Sequence, residues 1–530
     1  MSRVGGEMET DPLLLPDDTF SEDAPDHDRI ATASAPAIPD PKIEGISRVD
    51  WSSIGSLATI ISLYIFSNYM LVIPTLRLYE DAVCRDFYQE RHSDIDEQLC
   101  KVPEVQAALA TLVGWNLGLH AVPGLLTAVW YGSLADQHGR KPVLLAAMAG
   151  EFASWSWILL VCYRRDMFPI RAIWASAAFQ FVGGGPRVTV SLLYASIMDS
   201  VPTGRRTQFL YLRAAMSHLA SLSAPLLASW LMQRSLPLLF ELVFVLWVLT
   251  FIAMFLFRET LHTKSDFDAV PFAQSPSTTP TIGQPCLAEL NEPANNRPLP
   301  ASASHQRQHR AANIKSYILK LRKGIKDALS GFVTTNLLVC FSIFFLKRLA
   351  FTSENFVFQY ASKVLQWKLA KTAWIQSTHS LAAIVTTALL LPSLNAFLQR
   401  RRRTKSFTVD VTVARACLLI AVVGCLWVWR AQSTATMISG VFILGLAEGL
   451  EPTVQGISVS CVHASATGRL FTLIAAIDMV AMLFSGPLMG GIFAASQSAG
   501  SLWLGLIYVV AAGIFTLLLG GTLLLRQTES

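Results

Sequence analysis

Charge is scarce in this chain: 15% of its 530 residues are Asp, Glu, Lys or Arg, 52% are apolar, and the mean hydropathy is +0.44. A soluble domain carries about a quarter charged residues, so this composition excludes one. Charge is missing altogether from Trp51 to Leu76 and from Met479 to Leu525. A bilayer-crossing helix needs about 20 mostly apolar residues, so the second run is long enough for most of two spans. Residues 1–50 are polar and acidic without an apolar stretch, so no cleavable signal peptide is expected. No N-x-[ST] sequon occurs, so N-glycosylation is not expected. The eight cysteines form no CxxC and no metal-ligand spacing, so no metal site is expected. There is no G-x-x-x-x-G-K-[ST], which excludes an ATP-driven pump by itself. H-E-x-x-H and G-x-S-x-G are missing too, so no enzyme and no cofactor is expected.

What is present are apolar runs long enough for twelve spans, at about 51–75, 107–130, 142–163, 170–197, 209–231, 236–257, 333–360, 369–396, 411–429, 435–460, 470–494 and 501–525. The loops after even-numbered spans carry the bases: Arg140 and Lys141, Arg205 and Arg206, a long basic segment, Arg400 to Arg403 with Lys405, and Arg469. The opposite loops are short or acidic, notably 78–106 with Glu80, Asp81, Asp86, Glu90, Asp94, Asp96, Glu97 and Glu104. By the positive-inside rule both termini are cytoplasmic, and the net charge of +5 reads as topology with no nucleic-acid partner. Only Cys84 and Cys100 share a loop, the large external one. External thiols are oxidised, which points to a Cys84–Cys100 disulfide, with two free cysteines as the alternative.

The fold class is therefore an all-α polytopic membrane protein. Residues 1–50 form a cytoplasmic disordered tail, 51–260 an N-terminal six-helix half, 331–526 a C-terminal half and 527–530 a short tail. The linker 261–330 begins rich in Pro, Ser, Ala, Gln and Asn, a composition that builds no core. It ends in an amphipathic basic helix, 313–330, where Ile314, Ile318, Leu321, Ile325 and Leu329 recur at helical spacing between lysines and an arginine.

Between spans two and three stands Gly132-Ser133-Leu134-Ala135-Asp136-Gln137-His138-Gly139-Arg140-Lys141-Pro142. Two glycines, an acid and two bases make a tight turn at a membrane surface. The stretch resembles motif A of the major facilitator superfamily, G-x-L-x-D-R-x-G-R-[RK]-x, departing at Gln137 where a base is usual. The resemblance implies twelve transmembrane helices in two pseudo-symmetric halves and transport by alternating access. It also implies that Gly132, Asp136, Gly139, Arg140 and Lys141 form a conformational latch, Asp136 pairing with Arg140 and with the end of span eleven.

An internal repeat agrees. Ser223-Ala224-Pro225-Leu226-Leu227-Ala228-Ser229 in span five and Ser485-Gly486-Pro487-Leu488-Met489-Gly490-Gly491 in span eleven lie half a chain apart. Small residues around a proline let helices pack closely and bend, so Pro225, Gly486, Pro487, Gly490 and Gly491 are read as a packing motif. The second copy resembles the G-P-x-x-G-G core of motif C of the antiporter branch, which belongs in span five rather than eleven. Tyr194 to Asp199, followed by Arg205 and Arg206, resembles the end of span four in drug-efflux facilitators. Motif B would place an arginine four residues before Gly183; Phe179 stands there, and Arg187 lies downstream. Leu78 to Arg85 and Gln359 to Lys363 resemble stretches of fungal facilitators.

Ionisable groups inside spans are expensive, so each is a functional candidate. Glu151, about 14 Å into span three at 1.5 Å per residue, joins Glu448 and Glu451 on one face of span ten and Asp478 in span eleven as proton-coupling candidates. Arg187, His218, Lys347, Arg348 and His379 are substrate or counter-charge candidates. The alternatives are a structural Glu151–Arg187 pair, snorkelling of Lys347 and Arg348, and hydrogen-bonded core histidines. Taken with the resemblance, these residues imply proton-coupled efflux of a small organic molecule, the proton gradient replacing a cofactor. The partners expected are substrate, protons and the lipid bilayer, the chain acting as a monomer. Uptake or vacuolar transport of an organic anion is the alternative, and a non-transporting nutrient sensor a further one. The plasma membrane is the expected location, with the vacuolar membrane as the alternative because Glu9, Leu13 and Leu14 fit an acidic dileucine signal.

Overall fold

The computed structural model describes residues 51–89, 95–200, 206–257, 334–394, 406–462, 467–500 and 503–525. The tails, the acidic dileucine signal, the linker with its expected helix 313–330, Arg205 and the 400–405 bases lie outside the described residues. In chain order the long helices are α1 Trp51–Tyr88, α2 Pro103–His138, α3 Arg140–Tyr163, α4 Gly185–Ser200, α5 Arg206–Arg234 and α6 Leu236–Leu256. The second set is α7 Thr335–Val364, α8 Leu369–Leu394, α9 Ser406–Trp429, α10 Thr434–Ser460, α11 Thr467–Ser496 and α12 Leu506–Leu524. Among the described residues ten helices are long and apolar enough to cross a membrane, and α4 and α5 fall outside that set. Hydrocarbon offers no hydrogen bonds, so a charge-poor chain in a bilayer satisfies its backbone inside helices. Starts are capped where the sequence supplies an oxygen: Thr334 accepts from Leu337 N, Ser235 from Leu238 N, and Ser433 with Thr436 closes a capping box.

Two elements differ from expectation. The stretch read as one span over 170–197 is broken into a 3-10 turn Ile170–Ala175, a short helix Ser176–Phe179, and then α4. The break falls at Gly183, Gly184 and Gly185, with φ of +87°, +87° and +76°, a run that only glycine adopts without strain. The other is α1, which continues to Tyr88, so the acids over 78–88 belong to a helix rather than a loop. Glu80 there is buried and accepts from Lys101 Nζ (2.7 Å), Gln106 Nε2 (2.8 Å) and Arg77 (3.1 Å). The 3-10 turn Glu97–Lys101 folds back against α1, and Cys84 and Cys100 form a disulfide with Cα atoms 5.3 Å apart.

Two apolar cores hold the body. One lies within the N-terminal half, built on Leu57, Ile60, Leu144, Ala224 and Trp247. The other fills the C-terminal half and runs on into the disulfide-side ends of α1, α2 and α3 through Ile73, Val83, Leu109 and Ile158. The two halves are thus joined at the disulfide end. Large exposed apolar side chains such as Leu126, Val129, Phe255 and Leu256 suit lipid rather than water.

Candidate functional site

The seam between the halves is closest where α2 crosses α11. A Cβ placed on Gly114 would lie 2.6 Å from the Gly486 carbonyl oxygen, and one on Gly118 would lie 2.8 Å from that of Leu483 and from Pro487 Cδ. At Gly490 it would lie 2.8 Å from the Ala110 oxygen. Gly486, Pro487 and Gly490 therefore pack as their spacing suggests, but Gly491 faces open space, nothing lying within 4 Å of its added Cβ. Pro225 sits in α5 between the fully buried Ala224 and Ala228, on a helix that packs against α1 and α8. Polar bonds lock the same end: Gln98 donates to the Gln366 carbonyl (3.1 Å), Gln359 to that of Gln106 (2.7 Å), and Leu369 N to Glu97 (2.6 Å).

Beyond this seal lies a cavity of about 270 Å³ lined from both halves. Tyr69 of α1 and His218 and Ser221 of α5 face Glu354 of α7, Gln376, His379 and Ser380 of α8, Glu448 of α10 and Tyr508 of α12. Ser221 bridges the halves, 2.6 Å from Ser380 Oγ and accepting from Gln376 at 3.0 Å. The position of His379 is set by crowding: a Cβ on Gly445 would strike the His379 carbonyl oxygen at 2.6 Å, so only glycine lets α10 come so near.

The predicted charges separate into three groups. Glu151 is buried inside the N-terminal half, where Tyr64 Oη (2.8 Å) and Thr189 Oγ1 (2.5 Å) donate to it, tying α1, α3 and α4 together. It has no pair with Arg187. That guanidinium reaches Asp478 on α11 at 3.6 Å, and Asp478 also takes two bonds from Arg348 at 2.5 and 2.8 Å. Lys347 pairs with Glu451 at 2.5 Å. Adjacent cations on α7 thus reach acids on different helices, and snorkelling does not describe them. Glu448, within a 3-10 turn Ala447–Gly449 that interrupts α10, and Glu451 take different partners. Glu448 instead turns toward His379, 3.7 Å away, and Glu354 lies 3.7 Å from the same Nε2.

At the opposite end from the disulfide, Gly139 (φ +99°) makes the turn between α2 and α3. Gly132, inside α2, has nothing within 4 Å of an added Cβ. Lys141 Nζ donates to the Phe255 and Phe257 carbonyls, both at 2.7 Å, capping the end of α6. Arg140 is buried and approaches Asp136 at 3.8 Å, while the Asp136 side chain is 70% exposed. Among the described residues no hydrogen bond or ion pair joins Asp136 to α11.

Glu354 escaped the sequence reading, although it is an acid in an apolar run and obeys the rule that selected the others. Tyr64, Thr189 and Tyr508 carried no signal, because a hydroxyl in a span is common. Gly114 and Gly118 are a small-x-x-x-small pair in span two, a signal that was there to be read.

A family model described as Major Facilitator Superfamily matches residues 55–412. The chain is 28% identical over 456 residues to the MFS transporter SAT21 of Stachybotrys chartarum, covering 86% of this chain and 92% of that one. It is also 28% identical over 469 residues to the MFS efflux pump atnC of Emericella nidulans, covering 86% and 84%. Among solved structures it is similar to the human organic anion transporter MFSD10 (TETRAN), with a TM-score of 0.51 and 14% identity over 89% of this chain and 98% of that one. At that identity the likeness concerns the fold.

Proposed function

The chain belongs to the Major Facilitator Superfamily, a transmembrane transporter of small molecules rather than an enzyme, and on that premise we propose that it exports an organic molecule in exchange for protons. The observation that carries this reading is the charge balance of the cavity acids Glu354 and Glu448 together with the ion pairs beside them. Three cations, Arg187, Lys347 and Arg348, meet four carboxylates, Glu354, Glu448, Glu451 and Asp478. Lys347 and Arg348 lie within electrostatic range of Glu354. These seven groups leave one negative charge uncompensated, and inside a membrane such a charge is costly until a proton or another cation arrives. One exchangeable positive charge at a cavity shared by both halves is what antiport requires.

Glu448 is the first coupling candidate because it lines that cavity. Glu151 is the second; two hydroxyl donors hold it outside the cavity lining. Arg187 and Arg348 are spent on Asp478, which argues against an anionic substrate anchored on them. The fungal relatives named as efflux pumps support export, and a secondary metabolite is the substrate class we propose. We assign the Gly139 turn to the cytoplasmic side by its bases, so the seal between the halves lies outside and the exposed Asp136 inside. The plasma membrane is the proposed site, the acidic dileucine Glu9-Leu13-Leu14 giving the vacuolar alternative.

The test is pH-gradient-dependent flux in inverted membrane vesicles with hydrophobic cations, neutral drugs and organic anions. Proton release on substrate accumulation, lost in Glu448→Gln, is the expected result. Flux that ignores the gradient and survives both Glu448→Gln and Glu151→Gln overturns antiport and returns both acids to structural roles.

A further inference from the structure

Glu354, His379 and Glu448 come from α7, α8 and α10, yet their polar atoms converge. His379 Nε2 is 3.7 Å from one oxygen of each glutamate, and one ligand atom from each residue lies within 4.8 Å of the other two. The 3.7 Å separations are too long for hydrogen bonds, where N···O is about 2.7–3.2 Å. They are too short for groups arranged around an ammonium, since bonds of about 2.8 Å at tetrahedral angles hold acceptors ~4.6 Å apart. They lie nearest the ~3.4 Å between ligands that share a tetrahedral metal ion at about 2.1 Å. The two glutamate oxygens lie within 4.8 Å of each other, and a shared ion would draw them closer.

A second observation is independent of the trio. Tyr508 is fully buried, lines the same cavity, and its hydroxyl has no hydrogen-bond partner. His379 Nε2 and Glu354 Oε1 are likewise buried atoms without one. Buried polar groups are almost always satisfied, so three at one cavity mark a place that receives something polar. Two carboxylates and an imidazole give that something a positive charge.

We propose that Glu354, His379 and Glu448 bind a divalent first-row transition-metal ion, with the Tyr508 hydroxyl completing its surroundings. The nitrogen and oxygen donors suit Zn²⁺ or Co²⁺ and do not suit the softer Cu⁺. The site shares Glu354 and Glu448 with the proposed coupling charge, but metal binding itself does not depend on the direction or coupling of transport.

The experiment uses the full chain in lipid nanodiscs, titrated with Zn²⁺ alone in a calorimeter and with Co²⁺ by visible absorption. One ion per chain is expected, with affinity reduced by about tenfold or more in Glu354→Gln and in His379→Gln, following the loss of a ligand. His120→Gln, which removes an imidazole bonded to Ser176 and Gln180 in the other half, leaves it unchanged. Absence of stoichiometric binding, or binding that survives both ligand variants, overturns the site. X-ray absorption of the Zn²⁺-loaded unsubstituted chain decides without any variant: imidazole with oxygen ligands supports the assignment, and sulfur ligation or no imidazole refutes it. Loss of flux in Glu448→Gln with Zn²⁺ binding absent would leave the antiport reading standing and sink this one.

Discussion

Gly114→Ala adds one methyl group at the tightest point between the halves. That methyl would stand 2.6 Å from the Gly486 carbonyl oxygen and 3.0 Å from Gly490 Cα. Both are backbone atoms of α11, so neither can rotate away. A relaxed contact between such atoms is about 3.5 Å, so the helices must part by ~0.5–1 Å. Overpacking of this kind costs about 1–3 kcal/mol. The penalty falls on the arrangement sealed at the disulfide end and spares one in which α2 and α11 have separated there. The sealed population then falls about 5- to 150-fold relative to the open one. Attack by a membrane-impermeant thiol reagent on Ser221→Cys, a cavity position, measures this directly. Labelling from the disulfide side should rise by at least the lower factor. Gly491→Ala is the control, since it lies one residue on from Gly490 in the same helix and its Cβ meets nothing within 4 Å. If Gly114→Ala and Gly491→Ala label at the same rate and melt together, close glycine packing does not hold the sealed state.

Further outcomes follow from the buried polar groups. Glu151→Gln keeps an acceptor for Tyr64 and Thr189 and should cost under about 1 kcal/mol in thermal unfolding, whereas Glu151→Leu leaves the buried Tyr64 hydroxyl unsatisfied at roughly 1–3 kcal/mol, Thr189 keeping the Gly185 carbonyl at 3.2 Å. Equal stability of the two variants would show that these bonds contribute nothing. Arg348→Ala strands Asp478, which keeps only the 3.6 Å approach of Arg187. Breaking a buried pair costs about 3–5 kcal/mol, and partial exposure of this one lowers the expectation to ~1–3 kcal/mol. Arg348→Ala with Asp478→Asn should recover part of the loss in a double-mutant cycle, and a zero coupling energy would refute the pairing. Cys84→Ser opens a link between residues 16 apart and should cost about 3 kcal/mol, visible as a lower melting temperature that reducing agent reproduces in the unsubstituted chain.

How much of the site was legible varies residue by residue, for a physical reason. Glu151, Asp478, Arg187, Arg348 and Lys347 are conspicuous because a charge in an apolar run must have a partner, and each has one. Which partner was not legible. Arg187 is nearer in sequence to Glu151 than to Asp478, yet just after the helix break at Gly183 to Gly185 its guanidinium reaches Asp478 of α11. Glu448 and Glu451 look like one face on an ideal helix, yet Glu451 pairs with Lys347 while Glu448 approaches His379.

The sequence by itself determined the class: a membrane-embedded helical transporter body, with a signature turn between α2 and α3 and a proline-glycine stretch in α11. These follow from local quantities, the length of apolar runs, the placing of bases and the need of a tight turn for glycine, and hydrocarbon enforces them without reference to distant residues. The tertiary structure alone decided that the halves seal at the disulfide end, that Asp136 stands exposed, and that Glu354, His379 and Glu448 meet at one cavity. Those facts depend on contacts between residues as far apart as α2 and α11, where fractions of an ångström in backbone approach choose among arrangements. No periodicity within a single span carries that information.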